Sequence, residues 1–274
     1  MVHAILNGKV IKKEKAQIPI YHKGYFFDFA VYSSIKVLNG KIFFPKYHIQ
    51  RLFQSAKMIN LKHNFKIKEV LGWLEKLTKI DKLKNVLLRI VLVGDPDEQK
   101  NALLYIFPAS ELTFYPDEWY RKGVKVITFE GERFLPQAKT TNLLLNFLAL
   151  EKAKKCNAFE ALLIDRDGNI REGTRSNFFA IRENKIFTPP KEKVLGGITQ
   201  KLIILATKGK FKVVYRDIAL KDVKRKNYQE CFIASTSINV MPINQIDNVY
   251  LRNSFQKTYE IQKLFKNYWQ QKLK

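Results

Sequence analysis

Acidic residues are scarce in this chain: 25 Asp and Glu stand against 49 Lys and Arg, a formal net charge of +24 over 274 residues. Cysteine is scarcer still. Cys156 and Cys231 are too few and too far apart to imply a disulfide framework or a zinc site. The four histidines, His3, His22, His48 and His63, show no metal-ligand spacing, so metal chemistry is not expected. No apolar run reaches the roughly 18 residues that span a bilayer. The opening MVHAILNGKV lacks the basic start, apolar core and cleavage site of a signal peptide, and a cytoplasmic location is expected. Internal repeats and low-complexity tracts are also missing, which excludes solenoid and linker architectures.

The positive charge is spread over nearly every segment, densest in KDVKRK (Lys221 to Lys226) and in the terminal LFKNYWQQKLK. A nucleic-acid reader would gather its charge into a patch with interleaved aromatics or into a recognisable module. None is found, and a solvated, lysine-biased surface is the plainer reading. Anionic substrates or incidental polyanion binding are the other.

What is present is an ordinary globular composition, 46% hydrophobic and 27% charged, in a chain long enough for one large domain or two modest ones. Asn7-Gly8 and Asn39-Gly40, each flanked by strand-like residues, predict two tight hairpins. Pro45 opens a helix with Ile49, Leu52, Phe53, Ala56 and Ile59 on one face, a pattern that leaves Arg51 solvated. KEVLGWLEKLTKI reads as a second amphipathic helix, and NVLLRIVLVG and ALLYIFPAS as strands. LTFYPDEWYR breaks the pattern, which places a small domain over residues 1–112, a linker over 113–121 and a larger domain over 122–274. The larger part reads as a strand (GVKVITFEG), a helix, a strand meander to TPP, a helix behind Gly196-Gly197, further strands around a polar STS turn, and a basic helix from Ser254 to the end. The class is α+β.

Four features carry chemistry. Lys139 precedes an apolar run that reads as a buried helix from Thr140 or Thr141, with a threonine as N-cap and Leu143, Leu144, Phe147, Leu148 and Leu150 crowding it. The positive end of that helix would disfavour an ammonium by about 0.3–1 kcal/mol, and a neutral amine attacks carbonyls. LGGITQ places two glycines before a helix whose leading amides suit a phosphate, or make a plain loop-to-helix junction. Ser235, Thr236 and Ser237 offer hydroxyls and amides of the kind phosphate wants, or a simple ST-turn. Glu172 is either a solvated turn residue or a buried carboxylate that could hold a ring nitrogen protonated.

The runs KTTNLLLNFLALEKA, EALLIDRDGNIREGTRSNFFAI, KIFTPP, VLGGITQKLIILA and STSINVMPI, with GYFFDFAVYSSIKVLNGKIFF and HIQRLFQSA earlier, resemble the class IV aminotransferases over nearly the whole chain. The resemblance implies a two-domain fold type IV enzyme that uses pyridoxal 5'-phosphate: a smaller N-terminal α/β domain and a larger, β-barrel-like C-terminal domain with helices. It implies Lys139 as the Schiff-base lysine that moves the proton at the substrate α-carbon, and Glu172 as the partner of the pyridine nitrogen. Arg51, the amides of Ile198 and Thr199, and Thr236 fall on the phosphate site. Tyr32, Arg89 and Ser237 fall on the substrate side. A homodimer acting on small amino acids and 2-oxo acids is implied as well.

Substrate choice is mixed. Arg89 in LLRIVLVGD resembles the arginine with which branched-chain enzymes accept the distal carboxylate of glutamate. At the end of that strand Val93-Gly94-Asp95-Pro96 stands where D-amino-acid enzymes keep an arginine and histidine pair. Leu143 after Asn142, and the run STSINVMPINQID, lean the other way, although Asn239 replaces a glutamate common there. Asp28, Phe29 and Ala30 replace a glycine-rich stretch, and Ser33 replaces another glutamate. The expectation is transamination of a branched-chain or other hydrophobic L-amino acid with 2-oxoglutarate. D-amino-acid transamination is the alternative, followed by aminodeoxychorismate lyase-like chemistry or a basic nucleic-acid-binding protein without catalysis.

Overall fold

Two Asn-Gly pairs set the first hairpins. Asn7 (φ 46°) and Gly8 (φ 84°) join β1 (His3–Leu6) to β2 (Lys9–Lys12). Asn39 (φ 50°) and Gly40 (φ 78°) join β3 (Ala30–Leu38) to β4 (Lys41–Ile42). Positive φ at both central residues gives the turn that matches strand twist. The computed structural model describes residues 2–18, 20–97, 102–252 and 254–272. The chain divides into two compact units, Met1–Thr113 with Ala138–Asn142, and Phe114–Gln137 with Leu143–Lys274. Residues 138–142, expected from sequence in the larger domain, cluster with the first unit.

In the first unit a single helical turn, α1 (Lys23–Phe26), precedes β3, and two longer helices follow β4: α2 (Pro45–Met58) and α3 (Ile67–Ile80). Pro45 stands at the first turn of α2, where its missing N–H costs nothing. β5 (Val86–Val93) and β6 (Leu103–Glu111) complete a six-stranded antiparallel sheet in the order β2-β1-β6-β5-β3-β4. Val31, Ile35, Leu88, Ile90, Leu104 and Ile106 on one face of it pack with Ile49, Leu52 and Ala56 of α2 and Val70, Leu74 and Leu77 of α3. Strand alternation sends Tyr32, Arg89 and Val91 to the opposite face, where Tyr32 pairs in register with Val91.

The second unit begins with α4 (Asp117–Lys122), a helix within the stretch read as linker, and β7 (Val124–Glu130). Then come α5 (Leu144–Lys155), β8 (Glu160–Ile164), β9 (Ile170–Gly173), β10 (Asn177–Arg182) and β11 (Lys185–Thr188). They are followed by α6 (Ile198–Ala206), β12 (Lys212–Tyr215), α7 (Leu220–Lys224), β13 (Glu230–Ser235), β14 (Asn239–Ile246), β15 (Val249–Tyr250) and α8 (Gln256–Lys272). The last two positions of the expected terminal helix lie outside the described residues. The strands run β12-β11-β10-β13-β14-β7-β8-β9, with β15 on β14, and β9 also pairs with β10. That pairing closes β10-β13-β14-β7-β8-β9 into a barrel, which removes the exposed edges of those strands. Phe178, Ala180, Ile233, Met241, Leu162 and Ile170 belong to its core. Among the described residues no helix is long and apolar enough to cross a membrane.

The segment around Lys139 departs from expectation. Its helix starts at Leu144, and neither Thr140 nor Thr141 caps it. Thr140 forms a β-bridge with Val31, and the Thr141 N–H donates to the Ala30 carbonyl, so these residues extend along β3 instead. The helix is not buried by its large side chains either: Leu144, Phe147 and Leu148 are 67%, 59% and 50% exposed. It packs through Ala149 and Ala153 onto Ile127, Ala161 and Leu163, because small residues let a helix approach a sheet closely.

Candidate active site

Lys139 is held by its own backbone. Its carbonyl accepts the Tyr32 N–H at 2.9 Å, and its N–H donates to Ser55 Oγ on α2 at 3.0 Å. With the helix starting at Leu144, the dipole argument for a neutral amine does not apply to this lysine. Its surroundings are aromatic and cationic. Nζ lies 4.5 Å from the Tyr32 ring centroid, and the Arg89 guanidinium carbon lies 5.6 Å from the same centroid. One ring thus serves two cations, each such contact stabilising by about 0.5–1 kcal/mol where exposed and more where water is withheld.

On the helix-covered face, Arg51 is half-buried rather than solvated. Its NH2 donates to Ser33 Oγ at 3.1 Å, and that oxygen lies 3.0 Å from His48 Nδ1. Helical periodicity places Arg51 off the apolar stripe, but the Ser33 hydroxyl on β3 supplies a polar partner there. Burial, together with the charges of Arg51 and Lys139, holds the His48 imidazole well below its ordinary pKa.

In the second unit Glu172 sits near the end of β9, 5% exposed. One carboxylate oxygen accepts from Arg133 at 3.2 Å and the other from the Leu195 N–H at 3.2 Å. Arg133 also donates to the Pro136 carbonyl at 2.8 Å. Asn177 pairs with Glu172 across β9 and β10, and its side-chain amide donates to the Leu195 carbonyl at 2.8 Å. The turn leading into α6 is therefore tied to the barrel from two sides. Gly197 precedes the helix and no side chain caps it, so the leading amides of Ile198 and Thr199 are the unsatisfied donors that every helix start presents. A Cβ on Gly196 would meet nothing within 4 Å, so there is open space beside this glycine.

Asn177 also pairs with Ala234 on β13, and Ala234 with Val240 on β14, which makes one cross-strand row from Glu172 to Val240. Thr236 and Ser237 lie in the turn that joins those two strands. Beneath Glu172, the fully buried Glu160 accepts from Thr174 Oγ1 at 2.5 Å, Ser176 Oγ at 3.2 Å and the Ala161 N–H at 3.1 Å. These bonds shape the Gly173–Ser176 turn. Burial pushes the Glu160 carboxyl pKa up, against the opposing pull of Arg175 and these donors.

Among the residues singled out from sequence, Lys139, Tyr32, Arg89 and Arg51 thus lie in the first unit, and Glu172, Ile198, Thr199, Thr236 and Ser237 in the second. Sequence reasoning missed Arg133, Asn177, Ser55 and the role of His48. No local pattern marks them, because each acts across a long-range pairing.

Residues 30–246 match the amino-transferase class IV family, and the chain belongs to it. It is 31% identical over 255 residues to a D-alanine aminotransferase of Bacillus licheniformis, covering 89% of this chain and 88% of that one. In fold it is similar to the branched-chain aminotransferase of Thermoproteus uzoniensis solved with norvaline: TM-score 0.86, 22% identity, 97% of this chain and 94% of that one. A T.th. branched-chain amino acid aminotransferase solved with pyridoxamine 5'-phosphate is similar too, with TM-score 0.88, 21% identity, and 97% and 93% coverage. At such identity the structural likenesses speak for fold alone, which is α+β of fold type IV.

Proposed function

We propose that the protein transaminates a branched-chain or other hydrophobic L-amino acid, with 2-oxoglutarate as amino acceptor. The observation that carries this reading is the pair of cations on Tyr32: the Lys139 amine at 4.5 Å and the Arg89 guanidinium at 5.6 Å from the ring. An amine able to act at an α-carbon and a guanidinium able to take a distal carboxylate then share one aromatic neighbour.

The residues present fit pyridoxal 5'-phosphate, unit by unit. A buried carboxylate (Glu172) suits a protonated ring nitrogen, and an uncapped helix start behind the open Gly196 suits a phosphate. When bound, the cofactor supplies the electron sink for the α-carbon. Glu172 would keep the ring nitrogen protonated, itself oriented by Arg133 and the Leu195 amide. Arg51, the amides of Ile198 and Thr199, and the Thr236 hydroxyl would hold the phosphate. Lys139 would remove the α-proton in one half of the exchange and return one to the α-carbon in the other, while Tyr32 and Ser237 would line the substrate side. Arg89 would take the second carboxylate of glutamate or 2-oxoglutarate.

A second reading is D-amino-acid transamination, favoured by the 31% identity to a D-alanine aminotransferase. Against it stands Val93-Gly94-Asp95-Pro96 at the end of β5, which lacks the arginine and histidine pair that the resemblance to D-amino-acid enzymes implies there. The test is chiral chromatography of amino acids formed from branched-chain 2-oxo acids with L- or D-glutamate as donor. The L-product is expected. A D-product assigns the second reading, and no product from either donor rejects the branched-chain reading.

A further inference from the structure

We propose that Ser33 and His48 are positioning residues for Arg51: His48 Nδ1 accepts a hydrogen bond from the Ser33 hydroxyl, which turns the hydroxyl oxygen to the guanidinium and aims Arg51 at the cofactor phosphate. The inference rests on Arg51 being a phosphate ligand.

The donor and acceptor inventory leaves one consistent arrangement. Ser33 is 0% and His48 2% exposed, so both polar groups need partners inside the core. A guanidinium only donates, so Ser33 Oγ accepts from Arg51 at 3.1 Å. The hydroxyl has one proton to give, and His48 Nδ1 lies 3.0 Å away. Nδ1 is then an acceptor and the ring proton sits on Nε2. An imidazolium would turn a second donor on the same oxygen, next to the charges of Arg51 and Lys139, and burial with those two cations disfavours it. His48 and Arg51 stand at i and i+3 on α2, one above the other, and Ser33 faces them from β3. A hydroxyl at this place orients a guanidinium without neutralising it.

The test compares binding of pyridoxal 5'-phosphate and of phosphate-free pyridoxal to the apoprotein and to Ser33→Ala, His48→Leu and His48→Asn, each first checked for a cooperative melt. Asn can present an oxygen near the place of Nδ1. Ser33→Ala and His48→Leu are expected to weaken binding of the phosphorylated cofactor by about tenfold, the usual effect of one lost bond to a charged group, with His48→Asn much nearer wild type. Pyridoxal binding should not change in any of them, which a general packing defect would not allow. Ring nitrogen NMR of the wild type should show His48 neutral with its proton on Nε2. Wild-type cofactor affinity in both Ser33→Ala and His48→Leu, or an Nδ1 proton on His48, overturns the proposal. If the wild type binds the two cofactor forms equally, the phosphate role of Arg51 fails, and the ring-proton position still decides whether His48 and Ser33 orient it.

Discussion

The two units bring opposite chemistry by opposite means. The first carries its candidate site groups as cations at the ends of long side chains: Lys139 and Arg89 at the Tyr32 ring, and Arg51 at Ser33. The second offers a carboxylate and main-chain amides, held by a closed barrel and by turns tied to it. A long side chain can be removed while the backbone that bears it stays in place. A main-chain donor has no side chain to delete, so it is disturbed only by moving the chain. The effect of truncating Lys139 should therefore fall on chemistry, and that of disturbing the turns of the second unit on stability and cofactor retention together.

The largest effect should come from Lys139→Ala. Alanine keeps both backbone bonds, to Tyr32 and to Ser55, so the melting temperature should stay near wild type. Turnover should fall by about 10⁴-fold, the upper range for a lost general acid-base group. Steady-state rates beside a circular dichroism melt would check it, and borohydride treatment of the cofactor-loaded wild type should mark residue 139 in a peptide map. Multiple turnovers by the variant at the wild-type rate would take Lys139 out of the reaction.

Gly197→Ala should give an intermediate effect, of the other kind. The backbone at Gly197, φ −66°, suits any residue, but an added Cβ would lie 2.0 Å from Asn177 Oδ1. Relieving that clash moves the amide that holds Leu195, and overpacking of this sort costs about 1–3 kcal/mol. Gly196→Ala, with open space around its Cβ, is the control and should melt like the wild type. Equal melting and equal cofactor affinity in the two variants would show that Asn177 does not seat the turn.

Local pattern reported the parts of this fold that local physics decides. Asn-Gly pairs fix hairpins through positive φ, and Pro45 with the Ile49, Leu52, Ala56 spacing fixes α2. The Lys139 segment failed for a different reason. Its leucines and phenylalanine read as a buried face, yet the helix packs by Ala149 and Ala153, and hydrophobicity alone does not say which face a sheet will cover. Thr140 joins Val31 across more than a hundred residues, a pairing that no window of sequence contains. Helical periodicity likewise does not reveal the partner of Arg51, because the hydroxyl that receives it lies on β3. Lys139, Glu172 and the Gly196-Gly197 turn could be picked out as reactive types at suggestive positions. Arg133, Asn177 and His48 gain their meaning only from the partners that folding brings to them.

The smallest effect separates two buried carboxylates of the second unit. Glu172 has a guanidinium at 3.2 Å, while Glu160 relies on hydroxyls, one amide and the longer Arg175 contact at 3.5 Å. Burial outweighs those partners and raises the Glu160 pKa in the folded protein. The sign follows from linkage. A group whose folded pKa is raised contributes stability that is fully present below its unfolded value, about 4.3 for Glu, and that is lost as pH rises through the folded value. Glu160→Gln cannot titrate, so the melting temperature of the wild type minus that of the variant should be greatest near pH 4 and shrink toward pH 8. For a chain of this size each kcal/mol moves the midpoint by roughly 2–4 °C, which scanning calorimetry resolves. A difference that grows with pH would mean that the Arg175 pair outweighs burial.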